Sequence, residues 1–238
     1  KKGGIWNGRL YPKGSGADGN PITIASYGTG DRPIVNGGGM AGAAVHLRNS
    51  SYWVIRDLEV TNYAPERGDT YRQGIFVENA GGGTLSGIEI ADNYVHDVSG
   101  SFRYPIVAGF NGGPHAFGGI SVYTGGSVGT DKFDGVLIQG NLVEDVGRTG
   151  IVVWDQVWNG AGYATTNTVI RENSVKRSDS DGILTFGADG ALIEHNVAEG
   201  IGWYSEPNQF NGSAAIWPTR GKNNVVQFNE AFNTRRTE

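Results

Sequence analysis

The stretch Asp179-Ser180-Asp181 puts two carboxylates two positions apart. Hydrolysis of a glycosidic bond uses a pair of carboxylates, roughly 5 to 5.5 Å apart with retention of configuration and about 6.5 to 9.5 Å apart with inversion. In an extended segment residues i and i+2 face the same side at roughly 6.5 to 7 Å, so this pair fits. The two acids are the candidate acid and base or nucleophile. Asp155, between Trp154 and Trp158, is a separate candidate as a catalytic or sugar-binding carboxylate. A β-elimination would instead take a base for the proton beside a uronic carboxylate and a cationic group for the resulting anion. Arg103, His115, Lys132, Arg148 and Arg220 are its available parts. The plainer reading of Asp181-Gly182 is turn chemistry.

Other chemistries have less to stand on. His46, His96 and His195 are scattered and read as structural, and no His pair has helical metal-site spacing. No metal and no cofactor are expected. The absence of Cys removes thiolate ligands, disulfides and Cys nucleophiles together. Asn36-Gly37-Gly38-Gly39 and Gly81-Gly82-Gly83 lack the Lys-Ser/Thr of a phosphate loop and read as turns. No strand-turn-helix elbow supports a Ser/His/Asp arrangement.

The elements that must carry these side chains repeat. Gly74-Ile75-Phe76-Val77 recurs as Gly119-Ile120-Ser121-Val122, Gly150-Ile151-Val152-Val153 and Gly182-Ile183-Leu184-Thr185, and with Ala for Gly at Ala44-Val45 and Ala215-Ile216. From Ala44 onward the first residues lie 30, 45, 31, 32 and 33 apart. A second alternating segment follows each, and it carries Asn at one register: Asn93, Asn141, Asn173, Asn196 and Asn229. The segments are too short for helices and alternate with period two. One such unit cannot bury its apolar stripe alone, whereas stacked copies make a continuous core. The pattern therefore predicts a parallel β-helix, with the Asn column as a ladder capping turn backbone groups.

Composition agrees with a folded solenoid. The 238 residues include 40 Gly, yet 38% are hydrophobic and 11% aromatic, too much apolar surface for a disordered chain. Gly and Pro show no three-residue period, which excludes collagen. A net charge of −5 offers no basic face for phosphates, so nucleic acid and acidic lipid are not expected partners. No apolar run reaches the roughly 18 residues of a membrane-spanning helix.

Stacking assigns the positions. In the Gly-Ile strand Ile75, Ile120, Ile151, Ile183 and Ile216 point inward. Phe76, Ser121, Val152, Leu184 and Trp217 then point outward, followed two residues later by Glu78, Tyr123, Trp154 and Phe186. Tyr123, Trp154 and Phe186 share one register and, with Trp217, are expected to form an exposed aromatic platform for sugar faces; loops or a partner covering the column is the alternative. Asp155 falls level with Gly187, about 20 Å along the strand from Asp181. Arg148 falls level with Ser180, within reach of both Asp179 and Asp181, either gripping substrate or tying adjacent coils. Long segments precede this strand at Val98 to Phe117, with Arg103, Tyr104 and His115, and at Gly200 to Ser213, with Trp203, Tyr204 and Glu206. Loops on one edge of a solenoid are where function concentrates.

These coils, with Pro21-Ile22-Thr23-Ile24 and Arg32-Pro33-Ile34-Val35-Asn36-Gly37 near the start, resemble the right-handed parallel β-helix proteins of the pectin-lyase type, and in particular their exported bacterial carbohydrate-active members. The resemblance covers essentially the whole chain. It implies one all-β, single-stranded right-handed domain over residues 1–238, secreted or on the cell surface. It also implies a poly- or oligosaccharide substrate. After the last repeat only Thr234 to Glu238 remain, so further coils or a second chain are expected beyond it. The reading is a glycoside hydrolase using Asp179 and Asp181, with Asp155 as a further carboxylate and Arg148, Tyr123, Trp154, Phe186, Trp217, His115, Arg103 and Trp203 on substrate. A polysaccharide lyase and a non-catalytic glycan-binding or surface-structural β-helix are the alternatives.

Overall fold

A computed structural model describes residues 1–68, 70–100, 114–127, 129–156, 158, 162–203 and 213–235. Its strands run in three parallel sheets, and the chain visits them in turn. The second sheet holds Gly42–Arg48, Arg72–Asn79, Gly118–Thr124, Thr149–Asp155, Ile183–Phe186 and Ile216–Thr219. From each of these the chain passes to the third sheet, for example Thr165–Arg171, and then to the first, for example Ser174–Ser178. Among the described residues the single helical turn is the 3-10 turn Pro114–Ala116. No helix among them is long and apolar enough to cross a membrane.

Register follows the sequence repeat. Ile75, Ile120, Ile151, Ile183 and Ile216 are successive Cα partners, as are Tyr123, Trp154 and Phe186. The inward Ile and Val residues of all three sheets meet in one core running along the axis. The recurrent Gly before Ile has a steric cause. A Cβ on Gly74, Gly119 or Gly150 would lie 2.6, 2.8 or 2.7 Å from the carbonyl oxygen of the residue stacked on it, and closer still to Val95, Val143 or Val175. The bare backbone lets the first sheet's valines fill the corner.

The corner between the third and first sheets is made by a left-handed residue followed, in most coils, by Asn. Asp57, Asp92, Gly140, Glu172, His195 and Phe228 hold φ between 53 and 65°. Left-handed backbone costs a non-glycine residue roughly 1 kcal/mol or more, so the corner needs compensation. The Asn column provides it. Asn93, Asn141, Asn173 and Asn196 each donate Nδ2 to the next Asn Oδ1 at 2.9 to 3.0 Å. The five Nδ2 groups also donate to the carbonyls of Ile55, Ile90, Ile138, Ile170 and Ile193. Buried turn groups thereby find partners on the neighbouring coil.

Candidate active site

Asp179 to Asp181 sit where the first sheet gives way to the second, in a bend between Ser174–Ser178 and Ile183–Phe186. The preceding coil fixes this bend through its backbone. Asp179 N donates to Val146 O at 3.1 Å, Ser180 N to Arg148 O at 2.8 Å, and Gly150 N to Asp181 O at 2.9 Å. Arg148 is therefore level with Ser180, as the repeat alignment predicts.

The two acids meet different partners. Asp181 has no solvent-accessible surface. Its Oδ2 lies 2.6 Å from His115 Nδ1 and accepts from Ser180 Oγ at 3.3 Å, while Oδ1 accepts from Ala214 N at 3.1 Å. Asp179, also buried, forms an ion pair with Arg67 Nη1. Arg148 is buried with φ of 77°. Burial pulls its guanidinium below the ordinary arginine value, and the nearby Asp181 charge works in the opposite direction. Arg148 is thus a buried charge near Asp181, a place suited to balancing charge rather than to gripping a sugar in solvent.

The aromatic column departs from the expected exposed platform. Tyr123 and Trp154 are only 4% and 9% exposed. With Phe76, Val152, Leu184 and Ala43 they form a second small core on the outer face of the sheet, closed over by Ala116 of the 3-10 turn. The turn belongs to the coil insertion, which carries no repeat and so had no assigned register. Burial also pushes the Tyr123 hydroxyl up, with the Glu78 charge adding to it. The column continues as a stack: Trp154 lies on Phe186 at 4.2 Å and 18° between planes, and Trp158 meets Phe186 edge-on at 5.8 Å. Trp217, 38% exposed, is the open member. His115 joins these rings, parallel to Trp154 at 5.8 Å and edge-on to Trp217 at 5.6 Å.

Asp155 stands apart from the pair, as its alignment predicts. Its side chain lies where a Cβ on Gly187 would come within 2.8 Å, and its Oδ2 accepts from Ala164 N at 2.9 Å. Trp203 donates its backbone N–H to Ser178 O at 3.1 Å, beside the acids, but its ring stacks under Arg235 at 3.8 Å. Arg103, Tyr104, Tyr204 and Glu206 lie outside the described residues. Among the described residues no three His, Asp or Glu side chains converge as metal ligands.

Arg67 is the residue at this site that repeat reasoning passes over. It lies in the connection between Glu59–Asn62 of the first sheet and Arg72–Asn79 of the second. Buried Arg72 holds that stretch: Nη1 donates to Arg67 O at 2.9 Å and Ser99 O at 3.0 Å, and Nε to Gly39 O at 2.7 Å. The signal available in sequence was position alone: Arg67 precedes a Gly-Ile strand, as the longer insertions do.

Similarity to known proteins agrees with this architecture. The lacto-N-biosidase of Bifidobacterium longum subsp. longum is 27% identical over 92% of this chain and 18% of its own length. Two crystal structures of the GH136 lacto-N-biosidase from Eubacterium ramulus, a selenomethionine derivative and the native protein, share 22% identity with TM-scores of 0.84 and 0.83. They cover 99% and 97% of this chain and 45% of their own, a likeness of fold. The chain thus spans less than half the length of these relatives. The family described as the right handed beta helix region matches residues 35–231, and the chain belongs to it.

Proposed function

We propose that this chain is the β-helix of a glycoside hydrolase acting on an oligosaccharide outside the cell, with catalysis resting on Asp179 and Asp181. The observation that carries the reading is the placing of two buried carboxylates two residues apart, one against Arg67 and the other against His115, at the mouth of an aromatic stack. Buried acids are costly unless paired, and here both are paired by groups brought from separate loops. Arg148 supplies the balancing charge, and Trp217 and Phe186 the surface for a sugar ring. The lacto-N-biosidase relative makes a lacto-N-bioside the first substrate to try.

The test is product analysis by mass on lacto-N-biosides and a wider glycan panel, using the full chain and the variants D179N, D181N and D155N. The expected result is hydrolytic products, lost by about 10³-fold or more in D179N and D181N. D155N separates a third reacting carboxylate from one that only holds Ala164 N. Full activity without both Asp179 and Asp181 overturns the assignment. Unsaturated products absorbing in the near ultraviolet would establish a lyase, and glycan binding without products a non-catalytic protein.

A further inference from the structure

Asp181 has no accessible surface, yet it is hydrogen-bonded to a group that has some. The His115 side chain is 21% exposed, and it stands between the buried Trp154 and the open Trp217. Among the described residues Asp181 also accepts from a buried hydroxyl, Ser180, and a backbone N–H, Ala214. A group that transfers a proton to a sugar must come within hydrogen-bond reach of it, and of these four His115 is the titratable one that solvent can touch.

From the Asp181–His115 geometry we infer that the proton donor to the leaving sugar oxygen is the His115 imidazole, and that Asp181 is its positioning residue. The inference rests on the glycoside-hydrolase reading above. A carboxylate against Nδ1 fixes the ring's orientation and leaves Nε2 as the working nitrogen. Trp154, parallel to the imidazole, and Trp217, edge-on to it, hold the ring plane. In the step itself the imidazolium gives its Nε2 proton to the glycosidic oxygen as the bond from that oxygen to the anomeric carbon breaks. The sugar alcohol leaves with the proton, and the imidazole stays neutral with Nδ1–H on Asp181. Water takes the leaving group's place on the anomeric carbon, and the proton it sheds restores the imidazolium. Hydrolysis is then complete with no net change in the protein.

The experiment compares leaving groups in the full chain. An aryl glycoside with a very acidic phenol needs no proton to depart, whereas an alkyl glycoside or natural linkage does. H115N, whose amide can still meet Asp181 but cannot titrate, is expected to lose about 10²- to 10⁴-fold in kcat on the natural linkage, with KM little changed and most activity kept on 2,4-dinitrophenyl glycoside. D181N should show the same leaving-group pattern. H115A with added imidazole gives a second variant, in which recovery on the natural linkage is expected. Equal loss on both substrates in a folded H115N, with no rescue of H115A, would mark His115 as structural and overturn the inference. D179N and D181N both fully active would instead overturn the site reading on which it rests.

Discussion

Asn141 Nδ2 donates to Asn173 Oδ1 at 2.9 Å, and the Asn141 backbone N–H donates to the same oxygen at 3.0 Å. Asn173 in turn donates to Ile138 O, Arg171 O and Asn196 Oδ1. Removing its carboxamide leaves several buried groups without partners, each costing about 1 to 3 kcal/mol less any relaxation. N173A is expected to lower unfolding free energy by about 3 to 5 kcal/mol in denaturant titration. Asn36, half-buried, with surface hydrogen bonds to Asn7 at 3.1 Å and from Gly38 N at 2.8 Å, is the control, and N36A should cost about 1 kcal/mol.

Two tryptophans of the same face should separate stability from binding. Trp154 is packed between Phe186 and His115, so W154A is expected to cost about 3 to 5 kcal/mol in thermal or denaturant unfolding. Trp217 is open, and W217A should cost under about 1 kcal/mol while raising KM for a cleaved glycan about tenfold, roughly 1.4 kcal/mol of binding. A large stability loss in W217A would show that its ring is core rather than platform.

Asp131 gives an acid-side prediction. Burial pushes its carboxyl up, but the N–H groups of Ser127, Gly83 and Gly81, at 2.5, 2.9 and 3.1 Å, together outweigh this and bring it below the ordinary carboxylate value. With the folded value below the unfolded one, the stabilisation is present above the unfolded value of about 4. It is lost as pH falls through the folded value. D131N should therefore lower stability by about 2 kcal/mol at pH 7, and flatten the fall of Tm below about pH 4. Parallel Tm curves for the two proteins would refute this.

Arg72 ties the 37–41 turn, the Arg67 stretch and Ser99 together through three carbonyls. R72M is expected to cost about 3 kcal/mol by stranding those acceptors. It should also lower kcat, because Arg67 is no longer held on Asp179. R72K should recover little, since an ammonium cannot span three acceptors as the planar fork does. Unchanged kcat in R72M would detach Arg67 from the chemistry.

Whatever depends on stacking was legible in the sequence. The Ile120–Ile151–Ile183 column, the Asn ladder, Arg148 beside Ser180 and Asp155 beside Gly187 all follow from aligning Gly with Gly, because a coil's neighbour is fixed by hydrogen-bond register. What the alignment could not give is anything from irregular connections. Ala116 closing over Tyr123 and Trp154, His115 reaching Asp181, and Arg67 reaching Asp179 all come from segments without a repeat, where equal spacing in sequence carries no information about height along the axis. Asp179 and Asp181 stand out by residue type and spacing, but Arg67 and His115 beside them come from those segments.

The Asn column joins each turn of the ribbon only to the turns beside it. Under tension such a molecule should pay out like thread from a spool, one winding at a time. Each winding of 30 to 33 residues would release about 100 Å of chain at roughly 3.4 Å per residue. The 45-residue interval between Gly74 and Gly119 would appear in a force trace as the one long step, marking where the pull had reached.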